Sequence, residues 1–249
     1  MTRDETGRRE ADRREEVAEA GRVLAALGLV TAFGHVSARV PGAMMITPAA
    51  DLADVTADRL VPVPLTADQL PPGAPAEAWA HLALYRHRAD ADAIARAQPP
   101  SAFAAGVAAG PDQVIWPLYG QAAWLGERLP VHDDARLLRS AELAEAAAAS
   151  LPDGEALLLR GNGALTLGAS PGLAVARMWL LSAVCQAFLD TRAAGTVTPL
   201  HAAETESWRA VAGELLPRLW QQLRTRAQRH RAQLRWRGGS ARTGEREPA

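Results

Sequence analysis

The chain has 249 residues, 48% hydrophobic content and a formal net charge of −1, which supplies material for a sizeable core and no field to recruit nucleic acid. All 27 cationic side chains are arginine, so chemistry that runs through a lysine amine, a Schiff-base aldol step or a lysine-linked pyridoxal phosphate, is excluded. The one cysteine, Cys185, can form no intrachain disulfide and lies in the apolar run 180–189, where a buried, unreactive thiol is expected.

The first residues, among them Arg3, Asp4, Glu5, Arg8, Arg9, Glu10 and Asp12, are charged where a secretory signal needs an apolar run. The expectation is a cytoplasmic protein with a charged extension over 1–13. Residues 14–27 read as an amphipathic helix with Val17, Ala20, Val23, Leu24 and Leu27 on one face, stopped by Gly28. Strands follow at 34–39 and 44–47 around a Pro41-Gly42 turn. A proline-rich loop over 70–75 delivers Glu77 to the first turn of a helix running to about Arg88. Glu77 and His81, four apart, share a face of that helix.

Residues 91–98 read as a strand whose two-residue period puts Arg96 and Gln98 on one face, and Pro99-Pro100 ends it. An alanine-rich helix over 101–109, a strand over 114–119 and a helix over 140–150 come next. Segments 155–160 and 164–167 form a hairpin about Gly161-Asn162-Gly163, where Asn162 serves either the turn or a side-chain contact. Residues 171–193 are the longest helix, apolar nearly all round, which implies a core or a subunit interface. Arg177 and Gln186 interrupt it and argue against a membrane span. The segment 201–234 is helical, and its arginines at 224, 226, 229 and 231, with Arg235 and Arg237 beyond, read as a solvated basic end rather than a nucleic-acid surface. The expected organisation is one domain over 14–236 and a disordered tail over 237–249.

Four ordered stretches resemble the class II aldolase/adducin family: Gly34-His35-Val36-Ser37-Ala38-Arg39, Ile46-Thr47-Pro48, the segment from Glu77 through Tyr85-Arg86-His87-Arg88 to Arg96-Ala97-Gln98-Pro99-Pro100, and Leu158-Leu159-Arg160-Gly161-Asn162-Gly163. Leu129-Pro130-Val131 resembles the family's Pro-Val strand. The resemblance implies an α/β fold with a central, mostly antiparallel sheet covered by helices, and a homo-oligomer, commonly a tetramer, with sites between subunits. In that family three histidines hold zinc; here their positions carry Arg96, Gln98 and Asn162. A guanidinium has no lone pair to give and neutral amides are poor zinc donors, so no metal and no other cofactor is expected.

The family's sugar-phosphate aldolases cradle phosphate with residues that this chain replaces by His35, by Ala49-Ala50 after Thr47-Pro48, and by Pro75-Ala76 before Glu77. Most donors for a phosphate are therefore missing. A non-phosphorylated organic acid or polyketide-like small molecule is the expected partner, with neither nucleic acid nor membrane.

The candidate catalytic residues are Glu77 as the proton carrier, Arg96 as a fixed positive charge in the place of a Lewis acid, His81 as a second proton carrier, and Tyr119, near the region from which the family supplies a tyrosine acid across the subunit boundary. Burial would raise the Glu77 pKa and a nearby Arg96 would lower it. His35, Ser37, Thr47, Gln98 and Asn162 are the candidate substrate-binding residues. Three readings follow: a metal-independent lyase or cyclase, a non-catalytic adducin-like binding protein, and a metal enzyme with a ligand set rebuilt from Glu77, His81 or His35.

Overall fold

The computed structural model describes residues 3–109, 114–195 and 197–240. Helix α1 (Arg3–Ala26) leads into strands β1 (His35–Val40), β2 (Ala43–Ile46) and β3 (Val61–Pro64), followed by α2 (Ala78–His87) and β4 (Ala93–Ala97). Then come α3 (Pro100–Ala108), β5 (Val114–Ile115), β6 (Leu129–His132), α4 (Ala141–Ala149), β7 (Ala156–Leu159) and β8 (Gly163–Gly168). The long helix α5 (Pro171–Ala194) precedes α6 (Ala202–Ala210) and α7 (Ala212–Ser240).

The eight strands form one sheet in the order β3-β2-β1-β4-β8-β7-β6-β5. Every neighbouring pair is antiparallel except β6 with β7, so the mostly antiparallel α/β fold is the one found.

Side-chain alternation splits this sheet into two cores. Val36, Ala38, Ala93, Ala95, Ala97 and Ala164 face α1, α3 and α5. Met44, Ile46, Ile94, Leu157, Leu159 and Leu165 face α2 and α4. The alanines of the first face let α5 lie close on the strands, which is why this helix is apolar on so much of its circumference. It is long and apolar enough to cross a membrane by length and composition alone, but Val175, Met178, Leu180, Leu181 and Cys185 are all buried in the first core.

Several boundaries differ from the sequence reading. Residues 3–13 are the first half of α1 and continuous with it, because Arg13–Glu16 and Arg14–Glu10 pairs run along an exposed helix surface. The strand expected over 114–119 ends at Ile115, ahead of Pro117, which has no N–H for a ladder. Strand β3 went unpredicted because its sequence is Val-Pro-Val-Pro, tolerated only at a sheet edge, where the missing N–H groups face away from the partner. The closing helix breaks at Val211 into α6 and α7, and α7 runs to Ser240, past the expected start of the tail; 241–249 lie outside the described residues.

Candidate functional site

Helix α2 lies along β1 in matched steps. Four helical residues rise about 6 Å and two strand residues about 6.6 Å, so positions 77, 81 and 85 of the helix meet positions 35, 37 and 39 of the strand. Glu77 Oε2 is 3.8 Å from His35 Nε2. The Ser37 hydroxyl is 2.7 Å from His81 Nδ1 and 2.9 Å from the Tyr85 hydroxyl. Arg39 lies over the Tyr85 ring at 4.8 Å and donates to the carbonyls of Tyr85, Arg88 and Ala91, closing the C-terminal end of α2 with a positive charge. The Gly-His-Val-Ser-Ala-Arg stretch is thus a track that seats α2 and sets where Glu77 falls.

Arg96 stands opposite His35 in the β1–β4 ladder, on the face covered by α2. It is 1% exposed, and its two terminal nitrogens donate to the Asn162 side-chain oxygen at 2.8 Å and to the Phe33 carbonyl at 3.2 Å. Gln98 donates to the same Asn162 oxygen at 3.4 Å. Two neighbouring residues of one strand end therefore close on one acceptor, an oxygen that lies 64 residues on from Gln98.

The hairpin turn brings Asn162 there. Gly161 and Gly163 take positive φ of 67° and 89°, and a Cβ on Gly163 would stand 2.2 Å from the Ala97 carbonyl. Only glycine lets the turn press against the end of β4. The flanking glycines carry the left-handed geometry, which leaves the Asn162 side chain to the contact.

The cluster is rich in donors. Arg96 Nε and Asn162 Nδ2 are buried with no hydrogen-bond partner, as is His81 Nε2. No carboxylate lies within ion-pairing distance of Arg96 among the contacts described, because Glu77 turns to His35 instead. Burial draws the Arg96 pKa down, with the Glu77 charge opposing, yet a guanidinium stays protonated.

His35 meets the Thr47 carbonyl through Nδ1 at 3.3 Å. A carbonyl can only accept, which favours the neutral ring with its proton on Nδ1 and a bare Nε2, and the Thr47 hydroxyl stands 3.4 Å from the same Nδ1. Burial, then the Arg96 charge, lowers the His35 pKa to about 4 against the pull of Glu77. His81 is likewise held well below its ordinary value by burial, with His35 and Arg96 adding to the effect.

Of the residues expected from sequence, Glu77, His35, Arg96, Gln98 and Asn162 gather at one end of the sheet, where α2 begins. Ser37, Thr47 and His81 are fully buried and turned to protein groups: Thr47 accepts from the Val36 N–H at 3.1 Å and orients His35, while Ser37 and His81 join β1 to α2. Tyr119 follows β5 at the far edge of the sheet and packs on the first core, away from this cluster within one chain. Burial raises its pKa to about 12. Tyr85 and the Phe33 carbonyl were missed; the 77-81-85 spacing was a signal for the former, and no side-chain pattern announces the latter.

The model of the class II aldolase and adducin N-terminal domain matches residues 15–189. The chain belongs to this family. L-fuculose 1-phosphate aldolase from Glaciozyma antarctica superposes with a TM-score of 0.73 at 20% identity, covering 90% of each chain. An aldolase II superfamily protein from Pseudomonas syringae gives 0.72 at 22% identity, over 88% of this chain and 93% of that one. L-fuculose-1-phosphate aldolase from Thermus thermophilus gives 0.64 at 29% identity, over 74% and 96%. No curated protein matches the sequence.

For a member of this family the zinc question is one of donor chemistry. At the positions that resemblance aligns with the metal histidines stand a cation and two amides, and the oxygen of one amide is already engaged by the cation. Among the described residues no three His, Cys, Asp or Glu side chains converge, and His81 is turned to Ser37. This donor set does not fit a zinc ion.

Proposed function

We propose that this class II aldolase family member is a metal-independent lyase-type enzyme acting on a non-phosphorylated small organic acid. The observation that carries the reading is the surplus of buried N–H donors at Arg96 and Asn162, which calls for an anionic, acceptor-rich group. In a decarboxylation or retro-aldol cleavage the breaking C–C bond leaves its electron pair on an enolate oxygen. Arg96, with Gln98 and Asn162 beside it, offsets that charge in a site shielded from water. Glu77, at the mouth of the cluster with its side chain 19% exposed, carries the proton to or from the carbon. Tyr119 joins this chemistry only if a second copy presents it, so the reading includes a homo-oligomer, a tetramer by family resemblance.

The test is a panel of 2-oxo, 3-oxo and hydroxy acids assayed with two variants. Arg96→Ala should lose binding and turnover together, by about 1.5–3 kcal/mol for a buried charge-assisted contact. Glu77→Gln should keep binding and lower kcat by roughly a hundredfold. Full activity in both, with the fold intact, would move the protein to the adducin-like reading of a non-catalytic binding subunit. Light scattering that finds only monomer would remove Tyr119 from the site.

A further inference from the structure

The two ends of the cluster have opposite hydrogen-bonding character. At the Arg96 end, Arg96 Nε and Asn162 Nδ2 are donors without acceptors. At the other end the situation reverses. His35 is committed through Nδ1–H to the Thr47 carbonyl, so its Nε2 offers a lone pair, and the nearest charged group is the Glu77 carboxylate, another acceptor, 3.8 Å away. That distance is too long for a hydrogen bond, and two acceptors facing each other call for a donor between them. His35 stands directly across the β1–β4 ladder from Arg96, so one small molecule can meet both ends.

We propose that the ligand is a hydroxy acid, with its carboxylate on Arg96 and Asn162 and its hydroxyl donating to His35 Nε2 beside Glu77. The inference rests on the anion-binding reading above and adds to it a specificity residue, His35, which selects for a hydroxyl near the carboxylate. A ligand lacking that hydroxyl leaves the two acceptors facing one another, which is the arrangement a polar site rejects most strongly. Retaining the His35 acceptor requires the neutral ring, and burial beside Arg96 favours that form.

The experiment uses the full chain and matched acids that differ by one hydroxyl: lactate against propionate and mandelate against phenylacetate, with binding measured by calorimetry at pH 7. Wild type should bind the hydroxylated member of each pair roughly tenfold more tightly. His35→Asn keeps a donor for the Thr47 carbonyl and removes the Nε2 acceptor; it should erase that preference, so that the two members of each pair bind alike. Equal binding within each pair by wild type would overturn the hydroxyl inference and leave the anion site standing. Failure of all four acids to bind would overturn the anion site and this inference with it.

Nitrogen NMR of ring-labelled wild type gives a check that needs no variant. His35 should show a protonated Nδ1 and a bare Nε2 at pH 7, with the Nε2 signal moving on addition of mandelate and not of phenylacetate. An Nε2–H tautomer or an imidazolium at pH 7 would refute the assignment.

Discussion

Strands β1 and β4 carry two chemistries back to back. Towards α1 and α5 they show Val36, Ala38, Ala93, Ala95 and Ala97, all buried and apolar. Towards α2 the same strands show His35, Ser37 and Arg96, equally buried and polar. Burial alone therefore does not separate core from site here; partner supply does. The first face is closed mainly by aliphatic side chains, and the Thr166 hydroxyl opposite Ala95 is already committed to the Ala174 carbonyl. The second is lined by a helix that brings a carboxylate, an imidazole and a phenol at four-residue intervals, and by a turn that brings an amide.

The most severe way to break that contrast is to put a charge on the wrong face. Ala95→Asp should destabilise the protein by several kcal/mol, since a buried carboxylate there meets no cation and the hydroxyl across the ladder, that of Thr166, is already committed to the Ala174 carbonyl. Urea denaturation measures it, and a folded variant within about 1 kcal/mol of wild type would show that the faces are not so different.

Acid probes the polar face directly. The His35 pKa lies near 4 in the folded chain against 6.5 for the free side chain, so the unfolded state takes up the proton first. Stability is full above pH 6.5 and falls as pH drops towards 4, by about 3 kcal/mol from this residue, with His81 acting in the same direction. His35→Asn should flatten that part of the profile; an unchanged profile would mean that His35 does not titrate differently on folding.

Gly163→Ala should destabilise by about 2 kcal/mol, from a positive φ and a clash with the Ala97 carbonyl, and should weaken anion binding by displacing Asn162. Alanine at the solvent-facing Gly161, whose Cβ would meet only the Ala135 side chain at 3.7 Å, separates the two effects because it carries the φ strain without the clash. The smallest expected change is Ser37→Ala, about 1 kcal/mol, which leaves the His81 and Tyr85 groups without their shared hydroxyl. A hydroxyl-restoring Ser37→Thr that fails to recover any of that stability would point to packing rather than hydrogen bonding.

Much of this was legible in the sequence where spacing is short-range. The two-residue period placed Arg96 and Gln98 together, and four-residue spacing put Glu77 and His81 on one helix face. Both hold. What that spacing could not say is which of the pair would face the Arg96 cluster. His81 is consumed by Ser37, while Glu77, one turn earlier and at the helix start, stays partly open. Among the described contacts Arg96 and Glu77 form no ion pair; the Asn162 and Phe33 oxygens take the terminal nitrogens of Arg96 instead. Tyr119 was placed by family position alone, and it follows β5, an edge strand remote from β1 and β4.

The sequence by itself determined the family, the order of most elements, the exclusion of lysine chemistry and the loss of the metal-ligand types, since each of these depends on residue identity at fixed local spacing. The tertiary structure decided the direction in which each polar group spends its hydrogen bonds. Arg96, Gln98 and Asn162 come together only through a ladder between β4 and β8 and a turn tight enough to demand glycine. The His35 ring is oriented by the carbonyl and hydroxyl of Thr47, twelve residues away across a strand turn. Hydrogen bonds are directional and exclusive, so which donor meets which acceptor depends on angles and distances that only the folded chain defines.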